Sequence, residues 1–393
     1  MPLSVLNFAS FIPVSGLPQE NDISIKIYAD LKSRYGVESE FYKPVPHIPS
    51  WMGKLTPELK KRQRIFSSNT YRDVKYGIKV NFPRFNMPFQ NKLSIQSHKL
   101  AKLDYLLYGR QIEKSMEGNV PDLLHGHALF PDGYIVYRLS KKFDIPYILT
   151  VRGGYTDRYI TPTGKTVMAS ASYITTPSYR LYDALSSHYS HKLNLLPHGL
   201  DDEWFESLPK KMEQGKLRLV TVSRLLAMKN IQTVIQALPV LRAKGYDVIY
   251  HIIGDGDYER GLKQLAADLG VQDAVLFHGF RDASYIRQIY KETDVFVMLS
   301  YPETFGRVYF EAAAQGLYVI GVKDTGAHGY LTDEEGNFIN IDKNQLVSVL
   351  TDLTPEIFAL KTKKSKEKML RFKNDFIIEK YYRIIQNIKS ASI

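Results

Sequence analysis

The chain contains no cysteine in its 393 residues, which excludes disulfides, thiolate metal sites and a cysteine nucleophile together. It also lacks any apolar run near the roughly twenty residues that a membrane-crossing helix needs. The first residues have neither a basic stretch nor a long apolar one, so they read as a first buried strand rather than a signal peptide. Acidic residues are outnumbered, 41 against 52 basic ones, for a net charge of +11. That excess favours anionic partners: nucleotides, nucleic acid or an acidic membrane face. Against these shortages stand 44% hydrophobic and 24% charged residues, ordinary values for a soluble globular protein long enough for two or three domains.

β-rich apolar runs alternate with helix-like segments. Strands are expected at 123–125, 146–150, 173–176 and 192–196, then in a second series from Leu217 through 248–253, 275–278, 295–299 and 318–322. Segments 231–244 and 260–269 read as helices between them. The alternation predicts an α/β protein with parallel sheets covered by helices on both faces, binding ligands at the carboxyl ends of the strands. Pro, Gly and mixed charge break the pattern at 197–215, which sets the linker there. The expected domains are 1–198 and 199–374, with the apolar-striped segment from about 375 to 393 forming a last helix. Residues 43–100, rich in proline and aromatics, are the least readable part.

The most informative stretch is 303–311, Glu-Thr-Phe-Gly-Arg-Val-Tyr-Phe-Glu, in which seven residues separate Glu303 from Glu311. It follows the apolar run 294–300 and leads into an Ala-rich segment that ends at Gly316. Glu303 is thus expected in a strand-to-helix turn and Glu311 one to two turns into the helix. The N–H groups of Phe305, Gly306 and Val308 would lie at the helix's positive end, an anion site. Taken alone, the two glutamates are better explained as a first-turn acid and a solvated helix residue.

The surrounding segments change that balance. The stretch 303–311 resembles the E-x7-E motif of retaining glycosyltransferases of family 4, and three further segments match in family order: 220–230 with Arg224 and Lys229, 251–256 with its Gly-Asp-Gly turn, and 275–280. Together they cover roughly the C-terminal half. The resemblance implies the GT-B fold: two Rossmann-like domains facing across a cleft, with the C-terminal helix crossing back to the first. The N-terminal domain would bind the acceptor and the C-terminal one a nucleotide sugar.

Transfer of a sugar from a nucleoside diphosphate requires that the leaving diphosphate be stabilised, by a divalent metal or by fixed cations and dipoles. No Asp-x-Asp pair follows a strand in the fitting context, whereas Arg224 and Lys229 lie in the loop after a strand. The resemblance assigns them to the diphosphate, with no metal and no cofactor beyond a UDP- or GDP-sugar donor. It sets Glu311 on the ribose hydroxyls and Glu303 on hydroxyls of the transferred sugar, as a positioning group rather than a base. Gly254 would border the nucleotide site, and Phe280 and Arg281 would sit in the loop that holds the base.

In the first half, 124–133 carries His125 and His127 after a strand; the resemblance directs His127 to the donor sugar or acceptor. With no third ligand in view, the His-x-His pair does not read as a metal site. Gly16, in 13–16, matches weakly the family's Gly-rich loop near the diphosphate. Arg152 stands where many relatives have His, and His198 where many have Asn. An Arg in such a place adds a fixed charge, fitting an anionic sugar or acceptor. Residues 51–66 mix Trp, Met, Leu and Phe with five positive charges, which fits a solvated surface or contact with an anionic membrane. No nucleic-acid module is recognised.

The resulting expectation is a metal-independent retaining hexosyltransferase. It would act on a glycan or lipid-linked acceptor in surface polysaccharide synthesis, in the cytoplasm and peripherally at the inner face of the membrane. Two other readings remain: a disaccharide synthase with a soluble acceptor, and a catalytically silent nucleotide-sugar-binding protein.

Overall fold

The computed structural model describes residues 2–12, 22–46, 54, 56–66, 70–72, 75–85, 101–153, 161–206 and 210–391. The chain divides into two compact units: one of residues 1–177, 181–196 and 378–393, the other of 178–180 and 197–377.

The first unit contains β1 (Ser4–Phe8), β2 (Glu38–Tyr42), β3 (Val45–Pro46), β4 (Thr70–Arg72), β5 (Lys79–Asn81), β6 (Arg84–Phe85), β7 (Leu123–Gly126), β8 (Tyr147–Thr150), β9 (Tyr173–Thr176) and β10 (Leu193–Leu195). Eight of them form a sheet in the order β10-β9-β8-β7-β1-β2-β5-β4. All its pairings are parallel except β4 with β5. Every residue of β7 and β8 is buried, the signature of parallel strands covered on both faces. The helix Tyr134–Phe143 turns Ile135, Val136 and Leu139 onto this sheet, against Leu124, Leu149 and Val167.

The second unit contains β11 (Lys216–Val222), β12 (Asp247–Ile253), β13 (Val275–Phe277), β14 (Val295–Val297), β15 (Tyr318–Val322) and β16 (Gly336–Ile339). They form one parallel sheet in the order β13-β12-β11-β14-β15-β16. Val220, Ile252, Val297 and Ile320 are fully or almost fully buried in its centre. Each such side chain contributes about 1.5–3 kcal/mol of burial free energy, so this sheet is a firm base for the loops at its edge.

The chain order reverses at one place in each sheet. In the second unit the chain builds outward from β11 to β13 and returns with β14 on the other side of β11. In the first unit the reversal lies between β1 and β7. Connections on either side of such a point run to opposite faces, which opens a crevice at the carboxyl ends of the two strands. The expected two-domain α/β architecture of parallel sheets is therefore present in each unit. The last helix, Asn374–Ala391, buries Ile377, Ile378, Tyr381, Ile384, Ile385 and Ile388, and its residues from Ile378 onward belong to the first unit. Phe376, whose helical spacing from Ile377, Tyr381 and Ile384 would place it in the same apolar stripe, is instead 51% exposed.

Candidate functional site

In the second unit the crevice between β11 and β14 is framed by the loops 223–230 and 298–306. The two loops are tied by backbone and side chain: Tyr301 N–H donates to Met228 O at 3.1 Å and Asn230 Nδ2 to Leu299 O at 2.9 Å. Lys229, on a single 3-10 turn, reaches across so that Nζ lies 2.7 Å from Glu303 Oε2 and 3.2 Å from Ser300 Oγ. Glu303 is fixed at the main chain as well. Its N–H donates to Thr325 Oγ1 at 2.8 Å, and its carbonyl accepts from Thr325 Oγ1 at 2.7 Å and Gly326 N–H at 3.0 Å. A cation and a carboxylate are thus held at the sheet's reversal point by residues from three loops.

Arg224 lies on the same loop as Lys229 and is exposed. Its loop is shaped by Gly254 and Gly256, which have φ of 134° and 153°. A Cβ at Gly254 would fall 1.8 Å from Ser223 O, and one at Gly256 2.4 Å from Leu225 O. Only glycine permits this approach, and Leu225 N–H uses it to donate to Asp255 O at 2.7 Å. Gly254 therefore acts by placing Arg224's loop.

The helix Arg307–Ala314 begins at Gly306, whose φ of 68° and close neighbours, the Tyr309 ring at 2.5 Å and Glu303 Cγ at 3.2 Å, leave no room for a side chain. The side chain of Phe305 is buried, stacked on Phe310 at 4.2 Å and edge-on to Tyr330 and His198. Phe305 thus offers a binding site only its main chain, and its ring anchors the turn. Val308 is half-buried. Glu311, one turn further in, is buried, and Arg307 Nε lies 3.1 Å from its Oε1, an ion contact whose N–H is not aligned for a hydrogen bond. Burial raises the Glu311 carboxyl above its usual range, while Arg307 opposes that shift. Phe280 is 61% exposed, and the Arg281 guanidinium lies over the Tyr285 ring at 4.7 Å. With Asp282, Ser284 and Gln288 these residues line an open concavity of about 520 Å³.

In the first unit, His127 follows β7 at the reversal point, its N–H donating to Phe8 O at 2.9 Å. His125 and His127 are buried with their rings stacked at 3.9 Å. His125 spends both nitrogens, on Tyr28 Oη and Thr150 Oγ1, each at 2.7 Å. Burial pushes its pKa down to about 3 and that of His127 well below the ordinary value, with Arg152 adding to both. Both rings are therefore neutral at pH 7. His127 Nε2 lies 3.0 Å from Asn7 Oδ1. Because Asn7 Nδ2 donates to Glu40 O at 3.4 Å, its Oδ1 faces the ring, so His127 donates from Nε2 and keeps a lone pair on Nδ1. That Nδ1 is buried and has no hydrogen-bond partner among the described residues. Among the described residues no group of three His, Asp or Glu is arranged to hold a metal ion.

Spacing did not single out Asp132. Its buried carboxylate accepts from Ser10 N–H at 3.2 Å and is pushed up to about 7 by burial. With Lys43, which donates to Ser10 O and Ile12 O at 3.1 and 2.7 Å, it fixes the chain leaving β1. The available signal was one acid inside the apolar stretch 128–136. Arg152 is turned inward, donating to Ser24 Oγ at 3.2 Å and lying over the Phe11 ring. Gly16 lies outside the described residues, as do Trp51, Met52, Gly53 and Leu55 of the basic-aromatic segment.

Residues 202–353 match the model for glycosyl transferases group 1, and residues 79–204 that for glycosyltransferase family 4. The chain is 26% identical to an alpha-monoglucosyldiacylglycerol synthase of Streptococcus pneumoniae, over 75% of this chain and 71% of that one. Matches to four further curated relatives span 34% to 43% of their own length. In fold, the chain is similar to a sucrose-phosphate synthase from Thermosynechococcus elongatus, with a TM-score of 0.74, 15% identity, and coverage of 99% of this chain and 100% of that one. It is likewise similar to Anabaena Alr3699/HepE in complex with UDP, with a TM-score of 0.68, 15% identity, and coverage of 98% and 100%.

Proposed function

The chain belongs to the family 4 glycosyltransferases, and we propose that it moves a hexose-type sugar from a UDP- or GDP-sugar to a hydroxyl of a glycan or lipid-linked acceptor, with retention and without a metal ion. The observation that carries this reading is the convergence of Lys229, Glu303 and the start of the helix Arg307–Ala314 at the reversal point of one parallel sheet. Lys229 and Arg224 neutralise charge that builds on the diphosphate as the anomeric bond breaks, and the helix's N–H groups add a fixed dipole. Glu311 accepts from the ribose hydroxyls. Glu303 orients the sugar through its hydroxyls, with Lys229 and Thr304 N–H holding its two oxygens at 2.7 and 3.0 Å. The new bond forms on the face that the diphosphate leaves, and the leaving phosphate takes the acceptor's proton. His127, neutral and with Nδ1 unpartnered among the described residues, receives a hydroxyl of the sugar or acceptor.

The similarity to a monoglucosyldiacylglycerol synthase favours a lipid-linked acceptor and peripheral membrane contact over a soluble sugar. No helix among the described residues is long and apolar enough to cross a membrane. A thermal-shift panel tests the donor reading, because a ligand bound only by the folded state raises the melting midpoint. UDP or GDP is expected to raise it, and Glu311→Ala to abolish the rise. No rise with any nucleotide would refute the donor assignment.

A further inference from the structure

Arg307 has no role in the reading above, yet it is wedged between two carboxylates. Its Nε faces Glu311 Oε1 at 3.1 Å and its Nη2 lies 3.5 Å from Asp201 Oδ2. Asp201 precedes the short turn Asp202–Phe205, which is clamped to the same helix by Gln315 Nε2 donating to Trp204 O at 2.8 Å. Arg287, on the helix Ala283–Glu292, lies over the Trp204 ring at 5.4 Å. Four titratable or charged groups therefore act on Glu311: Arg307 from its own helix, Asp201 from the turn, and Arg287 and Tyr290 from the neighbouring helix. Removing Arg307 takes from the buried Glu311 the cation nearest to it and leaves the Asp201 charge acting on it.

We infer that Arg307 is a positioning residue for donor binding, holding Oε1 of Glu311 so that the carboxylate presents its remaining lone pairs to the two ribose hydroxyls of a nucleoside diphosphate. The inference rests on the proposed role of Glu311. A vicinal diol offers two O–H donors; an ionised carboxylate is acceptor-only and takes one on each oxygen, whereas the neutral acid turns one of its oxygens into a donor. Burial and Asp201 push Glu311 toward its neutral form, and Arg307 is the first influence opposing them. Arginine suits the place because its fork reaches both acids at once, which a single ammonium does not.

The test compares binding of UDP and GDP, and of the 2′,3′-dideoxy analogue of whichever binds, to wild type, Arg307→Gln and Arg307→Lys across about pH 6 to 8.5, with melting curves confirming that each variant is folded. Wild type is expected to prefer the ribose form by about tenfold or more, the scale of hydrogen bonds to a charged acceptor. In Arg307→Gln the preference should fall several-fold at the acid end and recover toward the alkaline end, its midpoint displaced upward from that of wild type. Arg307→Lys should restore much of the preference at low pH by supplying charge. An unchanged preference and pH profile in Arg307→Gln would overturn the inference while leaving the donor reading intact. Equal, pH-independent losses for ribose and dideoxy forms would also overturn it, by showing that Arg307 does not act through Glu311. Folded wild type that binds neither nucleotide would overturn the donor reading and this inference together.

Discussion

Replacing Lys229 by Ala separates a structural role from a chemical one. The Nζ–Oε2 distance to Glu303 is 2.7 Å, with the two side chains 15% and 18% exposed. That depth lies between a surface ion pair, worth about 0–1 kcal/mol, and a fully buried one, where deleting one partner costs about 3–5 kcal/mol. Glu303 keeps two other supports, Thr304 N–H at 3.0 Å and Ser300 Oγ at 3.4 Å. The expected loss of stability is therefore about 1–2 kcal/mol, or about 2–8 °C in melting midpoint for a unit of this size. The chemical effect is larger. Removing one fixed donor aimed at charge that develops in the transition state costs about 100- to 1,000-fold in turnover. Single-turnover transfer at saturating donor reads the second quantity and a melting curve the first. A turnover loss below about tenfold, with the melting midpoint lowered as expected, would make Lys229 only the counter-ion of Glu303 and would refute the diphosphate role.

Asp132→Asn should change how stability depends on pH. Its carboxyl is raised from 3.8 to about 7 in the folded chain, so the native state binds more protons than the unfolded one between these values. That contribution is present below about pH 4 and lost as pH rises to about 7, so the variant should exceed wild type at alkaline pH by on the order of 2–4 kcal/mol in urea unfolding, and equal stability there would refute the buried-acid account. His125 acts with the opposite sign, its contribution being present above 6.5 and lost as pH falls toward about 3, and it is common to both proteins, so their difference isolates Asp132. For the proposed metal-free mechanism, transfer should persist in excess chelator; loss of activity restored by magnesium would refute it.

The parallel strands were legible because burial on both faces forces continuous apolar runs. The runs 173–176 and 318–322 coincide with β9 and β15, and 248–253 differs from β12 by one residue. β2 and β16 were missed for the converse reason. β2, Glu-Ser-Glu-Phe-Tyr, buries only its last two residues, and β16 is four residues long and begins with glycine. The turn between Glu303 and Glu311 was legible because glycine, glutamate spacing and helix start are all local signals. The structure adds what local spacing does not encode, that Glu303 is held by Lys229 from 74 residues away and by Thr325 from 22 residues away.

Charge was the harder quantity to read, because its effect depends on what lies opposite it in space. Arg152 read from the sequence as a fixed positive charge available to an anionic ligand, and Arg307, at the start of a helix, would be read the same way. In the folded chain Arg152 is turned inward onto Ser24 and Phe11, and its charge adds to the burial that keeps His125 and His127 neutral. Arg307 is taken up by Asp201 and Glu311. Neither guanidinium is displayed to solvent as a lone cation, so on the reading proposed above each would act on a ligand through the group it adjusts: Arg152 through the histidines beside it, and Arg307 through the buried Glu311, whose upward shift it opposes. The same +11 excess that pointed to anionic partners therefore includes arginines whose work is internal. Lys229 differs from both, because its partner Glu303 stands at the reversal point itself. An arriving diphosphate would compete with that carboxylate for the same ammonium, so the pair is the place where donor binding must rearrange charge rather than merely meet it.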